Sequence, residues 1–413
     1  MKDQKIFEVE ILQLVYGGDG LARLPDGRAV FIPFTLPQEV ASICLVEEKK
    51  NYCRGRVQEI LRSSPQRIEP RCIHFADCGG CHYQHLSYTD QLKVKQQVFT
   101  EQLTRLAGIL QPPVEPIIGS AEEWNYRSEV QFHISDAGCP GFMASASDRI
   151  IEIEECHLPM GAINSIWPLL DFETEPTIQR VELIQGSDEQ ILLTLQGAQD
   201  LPELELDLPI SVVYRNDQAD WILAGDPYVL MKVKEQVFSV SAGSFFQVNP
   251  GLVPRLVDEI LSNLQLEPSQ KVLDLYCGVG LFSAFLAPYV SEIIGIEQSE
   301  SACVDFSVNL DQANHVSLYQ GAVEDVLPGL DVHPDIIIAD PPRAGLHRLV
   351  VDDIIKKAPP QLVYVSCDPS TLARDLKRLI QGGYQLKKII PFDLFPQTYH
   401  VESVAVMEKV TLT

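Results

Sequence analysis

The feature that most restricts the fold is a regular exchange of apolar runs and amphipathic stretches from Leu252 onward. Candidate strands at residues 271–275, 292–296, 316–319, 335–338, 361–365, 385–390 and 401–407 alternate with helices expected from Leu281, from Ser301 and after Ser366. Such alternation argues for an α/β domain: a doubly wound parallel sheet with helices on both faces. Ligands of these sheets bind beyond the carboxyl ends of the strands, so the strand ends are where chemistry is to be sought.

The apolar run 361–365 leads into Ser366-Cys367-Asp368-Pro369-Ser370-Thr371. Asp368 suits a helix N-cap and Pro369 the first helical position. Cys367 then sits against a helix N-terminus, whose partial positive charge favours the nucleophilic thiolate. Earlier, Val272-Leu273-Asp274-Leu275 runs into Tyr276-Cys277-Gly278-Val279-Gly280, a tight loop whose small residues let the backbone approach a ligand. Glu297 ends the next strand, where a carboxylate can accept both hydroxyls of a ribose. An NAD enzyme would usually show a third glycine at position 283, which here is Ser, so S-adenosylmethionine, an adenosine cofactor without a pyrophosphate, fits better. Asp340-Pro341-Pro342-Arg343 ends the fourth strand; it resembles the base-gripping loop of amino-methyltransferases, except that they follow Asp-Pro-Pro with an aromatic residue. His400 and Glu402 open the last strand on one side by the period of two, and either suits a general base. A glutamate in a dry cleft has its pKa raised toward neutrality, which suits proton removal.

At 413 residues the chain is too long for one core, and two or three domains are expected. Residues 5–60 read as all-β, with turns at Gly17-Gly18-Asp19-Gly20 and Pro25-Asp26-Gly27; five or so short strands suit a small OB-like barrel. Residues 86–110 have helical spacing and stop near Gly108, ahead of Pro112-Pro113. Residues 114–239 are again mainly strand, with candidates at 131–134, 150–153, 191–195 and 221–223. The reading divides the chain into 1–62, 63–238 and 239–413.

No apolar run approaches the roughly 18 residues of a membrane span, and the first ten residues do not read as a signal. A cytoplasmic protein without membrane contact is expected, and no obligate protein partner is evident. The formal charge of −25 argues against indiscriminate affinity for nucleic acid. One stretch runs the other way: Lys49, Lys50, Arg54, Arg56, Arg62, Arg67 and Arg71, with Tyr52 among them, form a candidate RNA contact. Ten cysteines are too few for a disulfide scaffold of this length. Cys72, Cys78 and Cys81, flanking Gly79-Gly80 in a C-x5-C-x2-C pattern, read as metal ligands, and the spacing suits zinc or a [4Fe–4S] cluster.

Taken together, these motifs closely resemble the RNA uridine C5-methyltransferases. The resemblance spans nearly the whole chain: Tyr16-Gly17-Gly18-Asp19-Gly20-Leu21-Ala22-Arg23 of a TRAM domain, the cysteine cluster, Phe245-Phe246-Gln247-Val248-Asn249, the glycine loop, Asp340-Pro341-Pro342-Arg343 and Ser366-Cys367-Asp368-Pro369. It implies a class I, Rossmann-like methyltransferase domain behind a TRAM domain and a mainly β central domain carrying the cluster. By the same resemblance Cys367 is the nucleophile and Glu402 the base, while Gln247, Tyr276, Glu297 and Asp340 hold S-adenosylmethionine. Leu281 stands where several relatives have an asparagine that touches the cofactor, so that contact is expected to differ. Cys156 becomes the fourth ligand beside Cys72, Cys78 and Cys81, with Cys139 its competitor, and the family points to [4Fe–4S]. Residues 86–110 are expected to pack on the catalytic domain, and Arg343 is a candidate donor to the O4 side of the base.

The implied reaction is methylation of uridine C5 through a cysteine adduct at C6, on 23S ribosomal RNA rather than transfer RNA because a TRAM domain accompanies the cluster. Two other classes compete. An amino-group methyltransferase would use Asp340-Pro341-Pro342 and be indifferent to Cys367; a non-catalytic iron–sulfur RNA-binding or redox-sensing protein would not bind S-adenosylmethionine.

Overall fold

Seven strands form the last sheet, in the order Val316–Gln320, Glu292–Glu297, Lys271–Leu275, Ile336–Ala339, Gln361–Ser366, Glu402–Lys409, Tyr384–Phe392. In this computed structural model the structure describes residues 5–410 apart from 146, 174–176, 199–200, 203 and 206. The outer ends of the first and last expected domains, residues 1–4 and 411–413, lie outside the described residues. Central strands such as Ile336–Ala339 are buried throughout, as expected where helices cover both faces. Two apolar clusters fill those faces, one around Ile338, Val363 and Val404 and one around Ile337, Leu362 and Met407.

The expected parallel sheet is parallel over five strands only. Glu402–Lys409 inserts antiparallel to both its neighbours, with Ser403 opposite Ser366 and Glu402 opposite Phe392. This reversal has a consequence for chemistry: the start of an antiparallel strand lies at the carboxyl ends of the parallel ones. Glu402 is thereby brought to the edge where Cys367 leaves its own strand.

Residues 6–62 build a six-stranded sheet around Val9, Ile11, Val30, Ile32 and Ile43, one strand more than the five or so expected. A second seven-stranded sheet, mainly antiparallel, runs from Asp220–Ala224 at one edge to Ile150–Glu152 at the other and packs on Trp167 and Phe132. The hairpin Tyr228–Val233 with Gln236–Ser241 straddles the expected boundary at residue 238. Its Met231, Val233, Phe238 and Val240 are buried in the core of the last sheet. Among the described residues no helix is long and apolar enough to cross a membrane.

The helix Tyr88–Gln102 continues as a wider turn to Ala107 and ends at Gly108, whose φ of 74° is the left-handed stop that glycine supplies. Ser87 caps its start by accepting from the Asp90 amide. Phe99, Leu103 and Ala107 pack into the last sheet's core. Lys95 Nζ meets Asp393 Oδ1 at 2.6 Å with both side chains fully buried, and also donates to the Phe395 carbonyl at 3.0 Å. One turn earlier Gln91 and Gln397 exchange two hydrogen bonds, 2.9 and 3.0 Å, while the His82 and Tyr83 amides donate to the Gln397 carbonyl. Residues 82–99 thus grip the loop that leads into Glu402.

Removing one partner of a buried ion pair strands the other charge, at a cost of about 3–5 kcal/mol. Lys95→Ala is expected to lower the urea midpoint by a corresponding amount, whereas Lys95→Met combined with Asp393→Asn, which leaves no buried charge, recovers most of it. Equal midpoints for wild type and Lys95→Ala would show that the pair does not hold the loop.

Candidate active site

Cys367 follows the strand Gln361–Ser366 and precedes the helix Pro369–Gln381, which starts with Pro369 at its first position. Asp368 caps the helix as expected, its Oδ1 accepting from the Ser370 amide at 2.8 Å and the Thr371 amide at 2.9 Å. The cap also corrects an expectation. The helix N–H groups that were to favour a thiolate are occupied by Asp368, and the half-buried Cys367 is pushed up to about 12. Burial is the main cause, followed by Glu402 and Asp340, with Arg343 opposing them.

Glu402 is 3% exposed and its Oε1 has no hydrogen-bond partner. Burial, then the nearby Asp340, raises it well above the carboxylate range, with Arg343 opposing them. His400 differs from it more than the sequence suggested. It precedes the strand rather than alternating along it, and burial plus Arg343 lower it to about 3. Its neutral ring packs 4.2 Å from Tyr399 and accepts from the Arg343 guanidinium at 3.5 Å. A base so weak is a poor choice for proton removal, which leaves Glu402 as the stronger candidate.

The cofactor candidates gather at the same edge. Gln247 Nε2 lies 3.4 Å from Asp340 Oδ2. The Glu297 carboxylate accepts from the amides of Gly278 at 3.0 Å, Gln298 at 2.7 Å and Ser299 at 2.8 Å, which fixes its direction beside the glycine loop. Tyr276 is held at φ 61°, a strained value for a residue with a side chain and one that clusters at ligand sites. Leu281 is buried in the core and presents no polar group there.

Sequence reasoning passed over Asp274, although a carboxylate flanked by Val272, Leu273 and Leu275 in a strand is itself a signal. Asp274 is completely buried; Ser283, the residue in place of a third glycine, donates to its Oδ2 at 2.6 Å, and Oδ1 has no partner. Burial raises it to about 7. Asp340 is raised as well, by burial and by Asp274. Asp274, Asp340 and Glu402 therefore form a line of acids, each raised by its surroundings, without a bonded cation among the ion pairs of the described residues.

Cys72, Cys78, Cys81 and Cys156 line one cavity of 320 Å³, and Cys139 does not border it. The two segments that carry them are stitched together: Ile73 N donates to Glu155 at 2.9 Å and Glu154 N to the His74 ring at 2.9 Å. Burial raises all four thiols, Cys81 and Cys156 to about 12. Among the described residues no three His, Cys, Asp or Glu side chains are gathered as a single metal ion would need. The basic run is largely engaged within the chain: Lys49 and Arg54 pair with Glu47, Arg62 with Glu10 and Arg67 with the buried Glu39.

Residues 329–410 match the family model of tRNA (uracil-5-)-methyltransferase, residues 3–58 that of the TRAM domain, and residues 257–364 that of the methyltransferase small domain. An uncharacterised RNA methyltransferase of Aquifex aeolicus is 35% identical, with 99% of each chain covered. Another from Streptomyces coelicolor is 34% identical, over 97% of this chain and 92% of the relative. Among solved structures, the Pyrococcus abyssi tRNA (uracil-54, C5)-methyltransferase in complex with S-adenosyl-L-homocysteine has the same fold, with a TM-score of 0.71 at 24% identity. It covers 97% of this chain and 100% of its own.

The raised acids fix the sign of a pH effect. A carboxyl that holds its proton to about 7 when folded but releases it near 4 when unfolded loses stabilising influence as pH rises between those values. The ligand-free protein is expected to have a lower urea midpoint at pH 8 than at pH 5.5, with Asp274→Asn flattening the slope. A midpoint that rises over this interval and is indifferent to Asp274→Asn would mean that these acids ionise normally.

Proposed function

The chain belongs to the RNA methyltransferases of the uracil-C5 family, and on that footing we propose that it methylates C5 of a uridine in 23S ribosomal RNA through a covalent adduct of Cys367 to C6 of the base. The observation that carries this reading is the pairing of Ser366 with Ser403, which sets Cys367 and Glu402 side by side at the ligand-binding edge.

S-adenosylmethionine supplies the methyl group as an electrophilic sulfonium. Gln247, Tyr276, Glu297 and Asp340 would hold it, and the donor set fits: the Glu297 carboxylate, fixed by three backbone amides beside the glycine loop, can accept from ribose hydroxyls. The chain's own residues do the rest. The Cys367 sulfur adds to C6 and sends the ring's electron pair toward C5 and O4, making C5 a nucleophile that uracil alone does not offer. Arg343, whose charge already bears on Cys367, stands to stabilise the negative charge on the O4 side. After C5 is methylated, Glu402 takes the C5 proton, the C6–S bond breaks and the thiolate is restored. Burial disfavours the charged form of both Cys367 and Glu402, so a positive charge held near them would favour ionisation of each. The base must leave its stack to be reached from both faces.

The four-cysteine cavity is read as the seat of a [4Fe–4S] cluster held by Cys72, Cys78, Cys81 and Cys156. Supporting this are the four thiols that line one cavity. Methyl transfer consumes no electrons, so a cluster there would organise the central domain and RNA contact.

Three measurements test the proposal. RNA containing 5-fluorouridine, which cannot lose a proton from C5, should become covalently trapped on the wild type at Cys367 and not on Cys367→Ala, which should still bind S-adenosylmethionine. Glu402→Gln should cut turnover by about two to four orders of magnitude, as loss of a general base does. Cells lacking the protein should lose 5-methyluridine from large-subunit ribosomal RNA; loss from transfer RNA instead reassigns the substrate. Trapping through another residue, or retained turnover in Cys367→Ala, refutes the covalent route.

A further inference from the structure

The N-terminal β-domain reaches the reaction centre through Tyr16, in the turn between the strands Gln13–Leu14 and Gly20–Arg23. The Tyr16 hydroxyl donates to Asp368 Oδ2 at 2.7 Å, across 352 positions of chain. The ring stands edge-on to Tyr399, centroids 5.4 Å apart, and Tyr399 in turn packs on His400 and on His82 of the cysteine-bearing loop. Tyr16 thus spans from the β-domain to the residue that follows the nucleophile.

Asp368 has its two oxygens in different employment. Oδ1 accepts both helix amides, and Oδ2 takes the tyrosine. A short O–H···O bond to a carboxylate is among the stronger hydrogen bonds and draws negative charge away from the rest of the group. Tyr16 is a permanent donor, because burial and the neighbouring Asp368 keep its hydroxyl protonated far beyond the ordinary tyrosine range. The charges facing Cys367 make this matter. Glu402 on the last strand, Asp340 after the fourth and Asp368 itself oppose a thiolate, and Arg343 favours one.

We infer that Tyr16 is a positioning residue for Cys367: its hydroxyl pins the Asp368 carboxylate in its capping pose and disperses the charge that would otherwise repel the forming thiolate. The inference rests on the reading of Cys367 as nucleophile. It gives the β-domain a second task beyond RNA contact, since a β-domain out of place withdraws this bond and leaves the sulfur harder to ionise. Recognition and chemistry are then linked by one hydroxyl group.

The test compares full-length wild type, Tyr16→Phe, Asp368→Asn and the double variant. Iodoacetamide labelling at Cys367, followed by peptide mass mapping between pH 8 and 9.5, reads the thiolate fraction directly. Tyr16→Phe should slow labelling about three- to tenfold, equivalent to a rise of half a unit to one unit in pKa, and lower kcat similarly with KM for RNA unchanged. Asparagine still caps a helix but carries no charge, so the double variant should label at least as fast as wild type. Unchanged labelling in Tyr16→Phe, a rise in KM alone, or slow labelling that Asp368→Asn does not rescue would each overturn the inference. Trapping of 5-fluorouridine RNA by wild type, run in parallel, separates the two readings: if it succeeds and Tyr16→Phe labels normally, the role of Tyr16 falls and the covalent mechanism stands; if it fails, the mechanism falls first.

Discussion

Taking Lys95 and Asp393 out of water together costs several kcal/mol per ion before their attraction is counted, and the pair is tolerable only because the partners meet at 2.6 Å with a further bond to the Phe395 carbonyl. That geometry is unforgiving, and the rest of the site inherits it. Asp393 follows the strand Tyr384–Phe392, and the next eight residues lead to Glu402. With Lys95 holding one end of this loop, Gln91 holding Gln397 in its middle and Tyr126 donating to Pro396, the entry into the last strand has little freedom. The position of Glu402 is therefore set by a helix that lies outside the catalytic sheet.

The same edge is built to be electrically incomplete. Buried polar groups are ordinarily satisfied, yet Asp274 Oδ1 and Glu402 Oε1 are not, and Asp340 lies between the two acids in the chain of mutual influence. An acid buried without a cation keeps its proton, which spares the folded chain a charge in a dry place. Cys367 sits at the same edge, and burial disfavours its charged form as well.

Much of this was legible in the chain. The strand Lys271–Leu275 was read to the residue, because apolar runs bounded by turns define themselves locally. The helices Val253–Ser262 and Arg348–Lys357 were missed, since their amphipathic pattern becomes decisive only against a sheet already in place. The reversed last strand was also out of reach: direction depends on which neighbours a strand finds, and nothing in Val401-Glu402-Ser403-Val404 encodes it. Around Cys367 the parts were legible and their sum was not. Asp368 was identified as the cap, but a cap that accepts the helix amides also withdraws them from the sulfur. Tyr16 stood in a quoted motif, and its partner lies too far along the chain for any pattern to join them.

The strong negative charge remains to be squared with an RNA substrate, and the pairing of the basic run decides how. Arg67 is committed to structure: Glu39 is fully buried and also accepts the Leu36 amide, so breaking that pair would strand a charge. Lys49, Arg54 and Arg62 are different. Their ion pairs with Glu47 and Glu10 are solvent-exposed, and exposed pairs are worth at most about 1 kcal/mol. A phosphate can take over such a cation at small cost while the displaced carboxylate returns to water. The acidic partners then act as a filter, since a ligand must offer a better-placed anion than the one already there. Affinity built this way discriminates against loosely aligned polyanions and leaves recognition to the shape of the RNA.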